Sequence, residues 1–192
     1  AEPRLSWQLR SERRNVHQTA YQVQVATTES DLIAGHKLIW DSTKITSDES
    51  VNRIYDGPAL KSGQRYLWHV RVWDESATAS AWSEAGYFEM GLLSATDWKT
   101  NWIEPDLKED VSKSQPSPFL RGTFKVNGAV RSARAYVTSH GLYELHLNGQ
   151  RVGDQLFTPG WTSYHKRLQY QTYDVTSLLK RGDNAAGAIL GD

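Results

Sequence analysis

The sequence predicts an all-β chain built as two antiparallel sandwiches in succession. Three observations carry that prediction. Two runs alternate strictly, "AYQVQVATT" over 20–28 and "RYLWHVRVWD" over 65–74, which is the period of a strand with one buried face. Turn clusters bound the second run, "DGPALKSG" before it and "DESATAS" after it, and helical periodicity is scarce. Further along, Asn148-Gly149 separates two alternating runs, and these two residue types tolerate the positive φ angles that a tight hairpin turn demands.

In the first module, residues 1–91, Trp7 is expected within an opening strand. The run from Ala20 places Tyr21, Val23 and Val25 on one face and the glutamines on the other, and "KLIWDS" reads as a short strand. The run from Arg65 sets Tyr66, Trp68, Val70 and Val72 against Leu67, His69, Arg71 and Trp73; "SAWSEAGYFEMG" reads as the closing strand. Leu60 followed by Tyr66, with Trp7 and the Tyr-x-Val-x-Val strand, resembles a fibronectin type III domain. The resemblance implies a tyrosine corner, in which the phenol of Tyr66 hydrogen-bonds nearby backbone.

A linker is expected over 92–117. Its second half, "DLKEDVSKSQPSP", has loop composition, whereas Trp98 and Trp102 are expected to pack the join onto a neighbour. The second module, 118–192, opens with the strand "PFLRGTFKV" and continues in "SARAYVTSH", with Ala133, Ala135 and Val137 inward. The Asn148-Gly149 hairpin and a strand in "RLQYQTYDV" follow. "DVTSLLKRGDN" reads as one helical turn, capped by Asp174 or Thr176 and stopped by Gly182. The apolar strand "AAGAILGD" then has nothing after it to pair with, so the chain is expected to be a fragment ending inside its second module.

Composition narrows the chemistry. Lys+Arg and Asp+Glu both total 22, so there is no net charge to draw nucleic acid or an anionic membrane, and neither is expected as a main partner. The absence of cysteine removes disulfides, thiolate nucleophiles and cysteine-based zinc sites. No apolar run approaches the ~20 residues of a membrane-spanning helix. P-loop, G-x-S-x-G and G-x-G-x-x-G motifs are missing, and no metal or other cofactor is expected.

Two clusters invite a functional reading. His140, Glu144 and His146 share a face on an extended strand, a geometry that suits a metal ion and equally the polar, solvated side of a strand, which is the preferred reading. The loop "TPGWTSYHKR" sets Trp161, Tyr164 and His165 together. Flat aromatic faces beside polar groups suit a sugar, so these three are the candidate substrate-binding residues. The plainer alternative, again preferred, has Trp161 plugging the open end of the sandwich with help from Tyr164.

The passage "ARAYVTSHGLYELHLNGQRVGDQLFTPGWTSYHKRLQYQTYDVTSLLKRGDNAAGAILGD" is similar to the N-terminal β-sandwich of bacterial α-L-rhamnosidases, glycoside hydrolase family 78. "WHVRVWD", "SAWSEAGYFEMGLL" and "DWKTNWI" match the same family in order. Part of the signature is shared more widely: Asn-Gly-x-x-Val-Gly, the Gly-Trp loop, Tyr-Asp-Val-Thr and Gly-x-Asn recur in galactose-binding-like jelly rolls, including those of β-galactosidase and β-glucuronidase relatives. The resemblance implies a fibronectin type III-like sandwich followed by a partial galactose-binding-like jelly roll. It implies a parent enzyme that releases terminal α-L-rhamnose with inversion. The acid and base would lie on a later (α/α)₆ barrel, so no catalytic residue is expected in this chain. That barrel is the expected partner, with L-rhamnosides as possible ligands. The alternatives are a stand-alone carbohydrate-binding β-sandwich module, the accessory region of a β-galactosidase- or β-glucuronidase-like hydrolase, or an adhesion domain. Bacterial cytoplasm, periplasm and secretion all stay open.

Overall fold

The computed structural model describes residues 2–106, 110 and 112–191; part of the expected polar loop, 107–109 and 111, lies outside the described residues, as do positions 1 and 192. The chain divides into two compact units, Ala1–Thr100 and Asn101–Asp192. Both are built from antiparallel strands.

The first unit contains β1 (Arg4–Leu5), β2 (Ala20–Ala26), α1 (Glu29–Ala34), β3 (Trp40–Asp41), β4 (Ile45–Thr46), β5 (Arg53–Ile54), β6 (Arg65–Trp73) and β7 (Gly86–Glu89). The two alternating runs pair with each other, β2 on β6, from Ala20↔Trp73 to Ala26↔Leu67. β3 and β4 take the other edge of β2, β7 takes the other edge of β6, and β1 pairs with β5. Most of the expected inward set is buried: Tyr21, Val23, Val25, Tyr66 and Val70 meet Leu5, Tyr55, Leu60 and Met90 in one core, and Trp68 and Val72 pack against it partly buried. The tyrosine corner is present, with Lys61 N–H donating to the Tyr66 hydroxyl at 2.9 Å. Trp7 lies beyond β1 rather than within it. Its ring packs against the core and its indole N–H donates to Gln18 Oε1 at 2.9 Å, so it holds the chain between strands.

The outer face of β2 and β6 is wired rather than solvated. Gln22 and Gln24 donate to the two oxygens of Asp41, both at 2.7 Å, while Gln22 Oε1 accepts from Arg71 Nε and Nη2. Above them runs an aromatic–cation ladder: Lys44 over Trp73, Arg71 between Trp73 and Trp82, and the His69 ring stacked on Trp82 at 4.0 Å. His69 is buried, with Nε2 3.0 Å from Gln24 Oε1. Burial pushes its imidazole below the ordinary range and Arg71 adds to this, against an opposing pull from Asp41.

A stability profile follows from that shift. The unfolded chain takes up a proton on His69 near pH 6.5, and the folded chain does so only at lower pH. The contribution of neutral His69 is therefore complete above about pH 6.5 and declines as pH falls below it. Urea unfolding of the first unit between about pH 7.5 and 5 is expected to show this decline, and His69→Gln to flatten it. An unchanged slope in the variant would remove His69 as its cause.

Helix α1 was not foreseen. Its signals are short-range: the Thr28 hydroxyl accepts from Asp31 N–H at 3.2 Å, Leu32 is buried, and Gly35 ends the helix in the left-handed region.

The second unit contains β8 (Phe119–Val126), β9 (Arg134–Val137), β10 (Leu142–Leu147), β11 (Gln150–Arg151), β12 (Gln171–Asp174) and β13 (Gly182–Gly191). One sheet runs β11-β10-β13-β8, and the other pairs β12 with β9. Tyr143, Leu147, Val152, Tyr173 and Val175 form the core between them, with Ala133, Ala135 and Val137 inward as expected. The β10–β11 turn has φ 51° at Asn148 and 82° at Gly149, the two positive values the hairpin requires. The helical turn is a 3₁₀ segment over Thr176–Leu178 with Val175 at its cap; Asp174 Oδ1 accepts from Thr176 N–H.

The unpaired edge expected of the last strand is not found. β13 is no unpaired edge: it lies between β10 and β8, hydrogen-bonded on both sides. The partners precede it in sequence, since β8 folds back across the module to meet it. The apolar run Ala185–Leu190 is explained by that central position, and no truncation follows from it.

Candidate functional site

The loop after β11 is held at its base and open at its tip. Thr158 is buried, its hydroxyl donating to Tyr143 O at 2.8 Å while its own carbonyl accepts from Tyr143 N–H. Pro159 is fully buried, and Gln171 Nε2 donates to its carbonyl at 3.0 Å. Gln171 Oε1 accepts in turn from the Tyr143 hydroxyl, which also meets Tyr173 Oη at 3.0 Å. Burial, together with Tyr173, pushes the Tyr143 phenol up, so it stays a neutral member of this network. Past the base, Lys166 and Arg167 N–H both donate to Ser163 O, and the Thr162 hydroxyl donates to Arg167 O, closing the tip into a compact turn.

The tip carries large apolar side chains into solvent. Leu156 is 69% exposed, Phe157 76% and Trp161 92%. The reading of Trp161 as a plug is thereby overturned. Pro159, two residues earlier, takes the buried position, and the indole is left outside. Phe157 has φ +57°, an uncommon conformation for a bulky residue.

Of the three candidate residues, the structure does not bring Trp161 into ring contact with the others. Tyr164 stacks on His140 at 5.5 Å, His140 meets the edge of Trp102 at 4.8 Å, and His165 is exposed beside them in sequence. Trp102, expected to be packed away, is 64% exposed. Sequence reasoning did not single out Leu156 and Phe157. Their signal was an apolar pair set directly before "TPG" in a segment otherwise read as loop.

The His140–Glu144–His146 cluster also separates. His140 lies outside β10 and turns to Tyr164. Glu144 and His146 do share the outer face, with His146 Nε2 2.7 Å from Glu144 Oε1 and Arg151 Nε 3.1 Å from Glu144 Oε2. The His146 hydrogen bond, then the Arg151 charge, hold the Glu144 carboxyl below its ordinary range. That is a cross-strand ion-pair network on a solvated face. Among the described residues no group of three or more acid or histidine side chains is placed to hold a metal.

Comparison with known proteins assigns both units. Residues 1–94 match the family described as Rha78A-like, N-terminal immunoglobulin domain, and residues 128–192 match the α-L-rhamnosidase N-terminal domain. An α-L-rhamnosidase of Alteromonas sp. (strain LOR) is 41% identical over 99% of this chain and 21% of its own length. The solved α-L-rhamnosidase of Dictyoglumus thermophilum superposes with a TM-score of 0.91 at 35% identity, over 100% of this chain and 23% of that one. For the native enzyme of Aspergillus terreus the figures are 0.84, 36%, 99% and 21%. The chain thus spans about a fifth of the length of these relatives.

Proposed function

The chain belongs to the α-L-rhamnosidase family, whose N-terminal modules it matches in order, and from that premise we propose that it is the non-catalytic N-terminal region of a glycoside hydrolase. In its longer form the protein would release terminal α-L-rhamnose from glycosides or polysaccharides. The observation that carries this reading is the match of both units, together with relatives about five times as long. The partner is the rest of the same polypeptide, an (α/α)₆ catalytic domain in this reading.

The local chemistry agrees with a supporting role. Glycoside hydrolysis with inversion needs two carboxyl groups roughly 6.5–9.5 Å apart across a cleft, one of them kept protonated. Glu144 is held ionised by His146 and Arg151, the opposite of what an acid catalyst requires. Asp41 belongs to the sheet: burial alone would raise its carboxyl, but hydrogen bonds from Gln22, Gln24 and the Thr43 backbone hold it low.

Hydrolysis of an aryl α-L-rhamnoside by this 192-residue chain and by the same gene expressed to its natural end tests the proposal. Turnover is expected in the long protein alone. Turnover by the short chain would place the catalytic carboxylates among the residues described above. Silence in both, each shown folded, would reject the reading.

A further inference from the structure

We propose that the apolar Leu156–Trp161 loop tip of the second unit is a docking surface for the remainder of the rhamnosidase chain. The proposal rests on the family reading above and adds to it a surface on the second unit.

The apolar tip is built rather than accidental. Its base is fastened at Thr158, Pro159 and Gln171, so Phe157 and Trp161 are presented from an ordered support instead of trailing from a loose loop. Leaving Leu156, Phe157 and Trp161 in water forgoes burial available elsewhere, and soluble proteins keep such groups together where something covers them. Phe157 also holds a strained backbone conformation, a pattern concentrated at sites with a role beyond folding.

Further along the same loop, Tyr164 stacks on His140 and His140 meets the edge of exposed Trp102, a separate aromatic group of this unit. Exposed His165, Lys166 and Arg167 lie just beyond the apolar tip in sequence. Aromatic anchors beside polar and charged residues match the composition of protein–protein interfaces.

Two observations choose the occupant. The relatives carry about four-fifths of their length beyond the matched region, enough polypeptide to cover the surface in the same molecule. A sugar is the weaker fit. Leu156 and Phe157 offer it no hydrogen bonds, and the hydroxyls of Thr158 and Thr162 donate to backbone carbonyls of the module itself.

Hydroxyl-radical footprinting of the long enzyme, without any substitution, tests this. Phe157 and Trp161 are expected to label roughly tenfold more slowly than their exposure here implies, with exposed Tyr87 of the first unit as internal reference. Labelling at the rate of a free indole overturns the docking proposal. Free labelling that L-rhamnose suppresses also overturns it and gives the loop to a sugar. Protection lost on dilution overturns it in favour of a second copy of the chain. Aryl rhamnoside hydrolysis by the same preparation separates the two claims. Turnover with free labelling rejects docking alone, whereas protection without turnover rejects the functional reading alone.

Discussion

Asn184→Leu is expected to destabilise the second unit by about 4 kcal/mol while leaving the first unit's unfolding unchanged. The side chain is buried and every polar position on it is used. Its Oδ1 accepts from Asn148 Nδ2 at 2.8 Å and from Lys180 N–H at 3.0 Å; its Nδ2 donates to Lys180 O at 2.8 Å and to Gly182 O at 2.9 Å. Asn148 is caught in the same mesh, donating to Leu178 O and accepting from Ala185 N–H. Leucine keeps the branched skeleton but leaves the Lys180 and Gly182 carbonyls and the Lys180 N–H without this partner and takes one of the two acceptors of the Asn148 amide. Each such loss costs about 1–3 kcal/mol where water cannot replace the partner. Against a whole-domain stability of roughly 5–15 kcal/mol this is a large fraction. Hydrogen exchange read separately over 20–26 and 182–190 distinguishes the units, and a loss under about 1 kcal/mol would refute the account.

Asn184→Asp sharpens the test. The new carboxylate faces the Lys180 and Gly182 carbonyls that formerly accepted from the amide, so its pKa is raised in the folded state. A raised carboxyl pKa gives stability below the unfolded value near 3.9 that is lost as pH rises toward the folded value. This variant is therefore expected to recover partly on acidification, and the leucine variant is not.

The same residues explain what the sequence could and could not say. Asn148-Gly149 was legible as a hairpin because local sterics alone decide which residues accept positive φ. The second role of Asn148, bonding across to Asn184 and Leu178, was invisible, since it depends on residues some 30 positions away becoming neighbours. Strand pairing failed in the same way at β13. Its apolarity was read correctly, but its partner β8 begins more than 60 residues earlier, and a period-2 pattern does not name a partner.

In the first unit the alternation of β2 and β6 gave the buried face, and the tyrosine corner followed from Leu60 and Tyr66. What alternation concealed was that the opposite face is also covered, because Trp82 arrives from a segment after β6 to lie on His69 and Arg71. At the candidate site, the burial of Trp161 was misjudged. Pro159 and Thr158 occupy the space inside, so Trp161 is displaced outward.

Two glycines of the Asn-Gly-x-x-Val-Gly segment provide the second large effect, and they separate conformation from space. Both have positive φ, 82° at Gly149 and 75° at Gly153. A Cβ on Gly149 meets nothing within 4 Å, so Gly149→Ala is expected to cost only the left-handed backbone term of about 1 kcal/mol. A Cβ on Gly153 would lie 2.5 Å from Tyr173 Cε1 and 3.0 Å from its Cδ1. That ring cannot move aside freely, because it is buried in the core and its hydroxyl is hydrogen-bonded to Tyr143. Gly153→Ala therefore adds displacement of a core aromatic, an overpacking penalty of about 1–3 kcal/mol, to the same backbone strain. A total near 3 kcal/mol is expected, about three times the Gly149 value, with the Tyr143–Tyr173–Gln171 network disturbed as well. Urea unfolding of the two variants side by side decides it. Equal costs would mean that the ring yields and that only φ matters at this position. A threefold difference would mean that the second glycine of the segment is required by the tyrosine packed against it.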